Sequence, residues 1–412
     1  MNYKHYTFIP ILFLFLFSAA QKKNLNVFLD SAVKNSPLLY DFQNQLIAAG
    51  IDSQILRAST MPQINANGNS FYAPVTNGFG YDQLLTNGGQ LQALVTLSKS
   101  IIPRKLLAAE YRTLQLTSDS IRISLRISER DLKKSIVTQY ITTYGDQLQL
   151  DFNTELHTLL ASEEVLLKRL TQSNVYRQVD YLSFIVTYQQ QSLALHQLEV
   201  QYKNDYAQLN YLAGILDTAT ASLEEPSLTY LFPTNLDSSA FFLKYKVDSL
   251  RLINSKNLIT LGYKPHINLF VDGGIESSFQ LQGYKNLGYS FGVNFQVPIY
   301  DGNQRKLQYT KIAIAERTRV RNKEFFTRQF NQQIAQLRQQ LAATEGLLGL
   351  IDKQIKYIET LIQANGKLLA TGDIKLTDYI LAINNYITAK NLVVQNKVAK
   401  FQIINQINYW NK

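Results

Sequence analysis

The chain has 412 residues, a formal net charge of +10, 17% charged residues and no cysteine, while tyrosine and phenylalanine are abundant (25 and 21). This length allows two or three ordinary domains or one elongated repeat protein. Without cysteine, the chain has no disulfides, no thiolate zinc site and no lipid-bearing cysteine at a cleavage site.

Residues 1–20 have the pattern of a secretory signal peptide. Lys4 precedes the apolar run "FIPILFLFLF", and the small residues Ser18, Ala19 and Ala20 follow it. We expect a mature chain that begins near Gln21. No later segment approaches the roughly 20 apolar residues that a membrane helix requires, so we expect export without helical anchors.

Export also argues against nucleic acid as a partner, although the chain is basic. The densest basic stretch is "AERTRVRNKEFFTRQF", in which a solvated helix face is the usual interpretation. Contact of this stretch with anionic lipid or with a partner remains the alternative. Its basic residues are Arg317, Arg319, Arg321, Lys323 and Arg328.

Four segments alternate apolar and polar residues with a period of two, which predicts strands at about 62–75, 89–102, 265–277 and 287–299. Tilted membrane strands and a soluble antiparallel sheet with one wet face both show this pattern. Four strands cannot close a barrel. In lipid, the backbone N–H and C=O groups at an unpaired sheet edge would have no hydrogen-bond partner. Three copies would supply twelve strands, an even number of the kind that such barrels use.

Between the strands, apolar residues recur at helical spacing. The pattern predicts long helices over 104–172 and 302–371, each roughly 100 Å long, with a seven-residue repeat in the second. Turn residues at 171–174 and 371–373 predict reversals into return helices over 175–216 and 374–412. Shorter helices are expected at 37–60 and 238–262. These elements together predict a rod, with strands at one end and helix turns at the other.

The two halves of the chain repeat each other. "NVYRQVDYLSFI" aligns with "GDIKLTDYILAI", which places Asp180 on Asp378, and "PQIN" at the first strand echoes "PHIN" at the third. We therefore divide the chain into the signal peptide (1–20), a first repeat (21–216), an equatorial linker (217–237) and a second repeat (238–412).

The segments "NSPLLYDFQNQLIAAGIDSQILRASTMPQI", "VNFQVPIYDGNQRK" and the duplicated pattern around Asp180 and Asp378 resemble the TolC-like outer membrane efflux protein family. The resemblance covers essentially the whole mature chain. It implies a mainly α-helical homotrimer, whose twelve-stranded membrane β-barrel continues into a helical tunnel across the periplasm. Such a protein is the exit duct of a tripartite efflux pump or type I secretion system. Its implied partners are outer membrane lipid, a periplasmic adaptor and an inner membrane pump or transporter.

The resemblance also implies the functional residues. The turns that dock the adaptor fall on Ser173, Asn174 and Val175 and on Thr371, Gly372 and Asp373, with asparagine at the family's glycine position in the first turn. Asparagine also tolerates a positive φ. The aspartates that close the periplasmic aperture fall on Asp378 and, by the repeat, on Asp180. A second family aspartate falls on Leu381. Stabilisation of the helix starts is the alternative role of both carboxylates.

The sequence fits two other classes of protein less well. An enzyme is not indicated, because the four histidines show no metal-ligand spacing and the glycine-rich stretches lack the context of a phosphate loop. We expect no cofactor and no metal. A periplasmic coiled-coil adaptor or structural interaction protein would share the helical hairpins, but it would lack paired ten-residue strands with apolar outer faces.

Overall fold

The computed structural model describes residues 22–80, 88–230, 232, 239–277 and 285–410, so the predicted signal peptide lies outside the described residues. In chain order the elements are α1 (Leu25–Asn35), α2 (Pro37–Ser59), β1 (Gln63–Ala73), β2 (Gly88–Ile101), α3 (Arg104–Gln172), α4 (Gln178–Ala213), α5 (Ala240–Gly262), β3 (His266–Ser277), β4 (Leu287–Gln296), α6 (Gln304–Thr371) and α7 (Leu376–Trp410).

The four strands form one antiparallel sheet in the order β1-β2-β3-β4. The register places most of the apolar residues of all four strands on one face of the sheet and most of the polar residues on the other, as the alternation predicted. Ile64 lies opposite Leu97, Leu97 opposite Val271, and Val271 opposite Phe291, so apolar residues make one continuous row across the sheet. The next row, on the opposite face, is polar throughout and consists of Asn65, Thr96, Asp272 and Ser290.

The strands and long helices lie where the alternation and the helical periodicity placed them, with small differences at the ends. The fourth strand, predicted to run to residue 299, ends at Gln296. Pro298 accounts for this end, because proline has no N–H to donate to a ladder and also restricts the residue before it. The helix α1 was not predicted. Its N-cap is Asn24, whose side chain accepts a hydrogen bond from the Val27 backbone.

Two compact units divide the chain, and each draws on both halves of the sequence. One comprises the described residues of 22–36, 129–232 and 333–410. The other comprises the described residues of 37–128 and 239–332, and it contains the whole sheet.

The first unit contains several apolar clusters. One joins α1, α3 and α4 around Phe28, Tyr140 and Tyr206, which are all fully buried. Another cluster lies beside the helix turns and includes the fully buried side chains of Leu160, Phe184, Leu369, Tyr379 and Ile383. On α6, the predicted seven-residue stripe is buried at nearly every position; its buried members are Leu337, Leu341, Thr344, Ile351, Ile355, Ile358, Ile362, Asn365 and Leu369.

In the second unit, the apolar face of the sheet is exposed. Tyr289 and Phe291 of β4 are 85% and 80% exposed, and Val293 is 66% exposed. Apolar residues of β1, β2 and β3 on this face are also exposed; they include Ile64, Tyr72, Val95, Leu97, Leu269 and Val271. A soluble protein rarely exposes an apolar face of this extent, so this surface marks an interaction site.

Candidate functional site

The first helix-reversing turn is built on Asn174. The α3 helix ends at Gln172, and Asn174 has a φ of 60°. The Asn174 N–H donates to the carbonyl of Thr171 (3.0 Å), and the Val175 N–H donates to the carbonyl of Leu170 (2.9 Å). This pair of hydrogen bonds is the Schellman motif, which ends a helix and satisfies its last carbonyl groups.

The second turn repeats this motif with glycine. Gly372 has a φ of 81°, and its N–H donates to the carbonyl of Leu369 (3.2 Å). The Asp373 N–H donates to the carbonyl of Leu368 (2.9 Å). Asn174 and Gly372 therefore occupy equivalent positions in two equivalent turns, and both supply the left-handed backbone that the motif requires.

The structure brings the two turns together. The Tyr176 hydroxyl donates to the carbonyl of Ile374 (3.0 Å) and lies 3.4 Å from the carbonyl of Leu369. A Cβ atom at Gly372 would lie 2.6 Å from Cγ1 of Val175. The sequence predicted the positions of both turns. It did not predict the contact of Tyr176, because no spacing rule shows where the side chain of one tyrosine beside a turn will point.

Asp180 lies in the first turn of α4 and is held within its own helix. Its carboxylate accepts hydrogen bonds from the Arg177 backbone (3.3 Å) and from the Arg177 guanidinium (2.9 and 3.1 Å), which makes a capping box. The Arg177 side chain holds the pKa of this carboxyl below its usual value. Helix capping therefore accounts for the local geometry of Asp180.

Asp378 lies at the equivalent place in α7, but its side chain is exposed. Within the part of the chain that the structure describes, no lysine or arginine nitrogen lies within 4.0 Å of its carboxylate. The following residue, Tyr379, is fully buried, which fixes this turn of α7 against the core. Leu381 is 60% exposed, so an apolar side chain follows the carboxylate one turn later.

The polar face of the sheet carries a hydrogen-bonded row around Asp272. The hydroxyl groups of Thr96 (2.5 Å) and Ser290 (3.3 Å) donate to the two carboxylate oxygens of Asp272. Asn67 reaches the Thr96 hydroxyl at 3.4 Å. These bonds cross all four strands and give each carboxylate oxygen of Asp272 a donor.

No helix of the described ranges is both long enough and apolar enough to span a membrane. Across the same ranges, histidine, aspartate and glutamate side chains form no group of three or more that could hold a metal ion.

Comparison with solved structures shows the fold. Neither a protein-family model nor a curated protein sequence matches the chain. The outer membrane protein VceC from Vibrio cholerae matches with a TM-score of 0.74 and 14% identity, over 94% of this chain and 95% of that one. The CmeC outer membrane channel of Campylobacter jejuni matches with a TM-score of 0.72 and 15% identity, over 94% and 85% of the two chains.

The MtrE outer membrane channel of Neisseria gonorrhoeae matches with a TM-score of 0.72 and 11% identity, over 94% of this chain and 88% of that one. The matches extend over nearly the whole length of both partners, so they include the sheet as well as the long helices. The fold of the single chain, mainly helical with one four-stranded sheet, thus agrees with the TolC-like resemblance: the chain has the fold of the outer membrane channel proteins.

Proposed function

We propose that the protein is an outer membrane channel, in which three copies form a twelve-stranded barrel and a periplasmic helical tunnel. It would act as the exit duct of a tripartite efflux pump or type I secretion system, with a periplasmic adaptor and an inner membrane pump or transporter as partners. The observation that carries this proposal is the four-stranded sheet, which has one exposed apolar face and one hydrogen-bonded polar face.

The sheet supports a membrane location on physical grounds. Residues such as Tyr289, Phe291 and Val293 are favourable against lipid and unfavourable against water. The opposite face keeps Asp272 hydrated, which suits the wet interior of a barrel. Within the sheet, β1 and β4 are the edge strands, and an edge in lipid is tolerated only when another strand pairs with it. Pairing of β4 with β1 of a second copy satisfies both edges, and three copies close the ring.

The turns and the first residues of α7 supply the other functional elements of this proposal. The turns at Ser173–Val175 and Thr371–Asp373 would dock the adaptor. Asp378, exposed and without a cationic partner among the described residues, would line the periplasmic aperture. Three such carboxylates around an axis repel one another and favour cations. Asp180 is the weaker gate candidate, because Arg177 already pairs with it.

We propose that the chain consists of two repeats, 21–216 and 238–412, joined by the linker at 217–237. The recurrence of two strands, a long helix and a return helix in each half supports that division. We propose no catalytic role, cofactor or nucleic acid partner. The matched structures are channel proteins, which is consistent with a duct rather than an enzyme.

Electron microscopy of the full-length protein after detergent extraction tests this function. The expected particle is a hollow threefold cylinder that requires detergent and that conducts ions in planar bilayers. A detergent-independent monomer that forms no pores would overturn the channel and would favour the adaptor class instead.

A further inference from the structure

We infer that the two docking turns of one protomer form a single composite surface, which the Tyr176 hydroxyl and the close contact between Val175 and Gly372 hold together. This inference rests on the docking role proposed for the turns. It adds that an adaptor meets one rigid two-turn surface in each protomer, rather than two independent loops.

The first support is the hydrogen bond of Tyr176. Only 9% of this side chain is exposed, and its ring belongs to the same apolar cluster as Leu369, Leu376 and Tyr379. Its hydroxyl donates to the carbonyl of Ile374, one residue beyond the second turn. Burial raises the pKa of the hydroxyl, so it remains a donor at physiological pH. A residue that follows the first turn therefore fixes the backbone that follows the second.

The second support is the packing at Gly372. A Cβ atom there would lie 2.6 Å from Cγ1 of Val175, a separation that real side chains do not tolerate. Valine is branched at Cβ and has few alternative rotamers, so it cannot easily move aside. The glycine is thus required twice, once for its φ of 81° and once for the approach of the first turn.

The contact is also asymmetric, because each repeat contributes a different part of it. The counterpart of Tyr176 in the second repeat is Ile374, which has no side-chain hydroxyl, and the counterpart of Gly372 is Asn174. Asn174 is exposed, so the first turn has room for a side chain where the second turn has none. The first turn therefore supplies the hydroxyl donor, Tyr176. The second turn supplies the carbonyl acceptor at Ile374 and, at Gly372, the space that Val175 occupies.

The composite surface presents exposed residues from both turns, namely Ser173, Asn174, Val175, Thr371 and Asp373. Val175 is 47% exposed although it also packs against Gly372, so the boundary between the turns is itself part of the surface. A partner that covers Val175 reaches the second turn as well. The surface suits a protein partner with a mainly polar contact region and one apolar side chain at its centre.

Amide hydrogen exchange of the full-length protein in detergent tests the link through Tyr176. Tyr176→Phe removes only the hydroxyl, and we expect amide exchange at Asp373 and its neighbours in the second turn to rise about fivefold, the effect of losing one buried hydrogen bond. Tyr181→Phe is the matched control. Its hydroxyl bonds to Glu164 of its own hairpin at 2.5 Å, so the second turn should be unaffected. Equal exchange in the second turn for wild type and Tyr176→Phe would overturn the inference.

A pair of substitutions tests the packing. Gly372→Ala should speed amide exchange in both turns, because the new methyl group meets Val175. Val175→Ala added to Gly372→Ala should remove part of this effect, whereas the strain of the positive φ remains. Strictly additive effects of the two substitutions would refute direct packing. Micrographs and bilayer currents of the wild-type protein decide the channel function separately, so either conclusion can fail alone.

Discussion

A charge placed on the apolar face of β4 gives the sharpest test of the membrane orientation of the sheet. Val293 is 66% exposed on that face, and it lies opposite Leu269 of β3. The strand runs from Leu287 to Gln296, so Val293 is about 5 Å along the strand from its midpoint. The apolar band of outer membrane barrels is about 25 Å tall, so in the proposed barrel this position would lie well inside it.

Val293→Arg should therefore cost about 2 to 3 kcal/mol in each protomer, because the penalty for arginine is roughly 2 to 4 kcal/mol at the midplane and falls towards the interfaces. That energy lowers the equilibrium constant for inserting each protomer by about 30-fold to 150-fold, and the trimer carries the penalty three times. Asn294→Arg is the matched control, because the neighbouring side chain lies on the polar face at nearly the same depth.

The assay is the yield of heat-resistant trimer on gels, after expression at matched levels. We expect a strong loss for Val293→Arg and near wild-type yield for Asn294→Arg. Equal yields from the two variants would refute the assignment of the faces, and a selective loss for Asn294→Arg would reverse it.

Asp378→Ala should raise single-channel conductance and weaken cation preference in planar bilayers; unchanged values would remove this carboxylate from the gate. Burial, with nearby Asp205 adding to the effect, raises the pKa of Asp146 to about 7. The folded state therefore binds this proton more tightly than the unfolded state, and its stability falls as the pH rises from about 4 to 7. Asp146→Asn should have a higher melting temperature than wild type at pH 8 and a similar one at pH 4; the same difference at both values would exclude this titration. Gln147→Leu should lower the free energy of unfolding by about 2 to 4 kcal/mol, since the Leu223 N–H (2.6 Å) and carbonyl (3.2 Å) lose their buried partner. Chemical denaturation measures this change. A decrease in the free energy of unfolding below about 0.5 kcal/mol, the size usual for a surface substitution, would show that water replaces the Gln147 amide.

The helices and strands were predictable because their periodicity extends over many residues. The α6 stripe from Leu337 to Leu369 repeats often enough to define one face, and that face is buried. The alternation in β3 and β4 likewise placed Val271 and Phe291 on one side of the sheet. The helix α1 was missed because eleven residues contain few helical repeats, and tertiary contacts such as the burial of Phe28 help to stabilise it.

The details of the helix turns were less predictable, because single side chains decide them. The pattern that made Asn174 equivalent to Gly372 was visible, and both residues adopt a positive φ. The pairing of Arg177 with Asp180 depends on the rotamers of an exposed arginine and a half-buried aspartate, which the sequence does not specify. The reach of Tyr176 across to Ile374 joins residues that are distant in sequence, so only the fold shows it.

The pairing of β2 with β3 has a consequence for the nascent chain during synthesis. Leu91 lies opposite Ser277 and Ile101 opposite Ile267, so one edge of the first hairpin stays open until the third strand has been synthesised. The long α3 helix and its return emerge in the interval. For that time the nascent chain presents an apolar hairpin with an unpaired edge, which is the kind of surface that aggregates. The edge of β2 is therefore the part of the first hairpin at which an incomplete chain is most prone to aggregate.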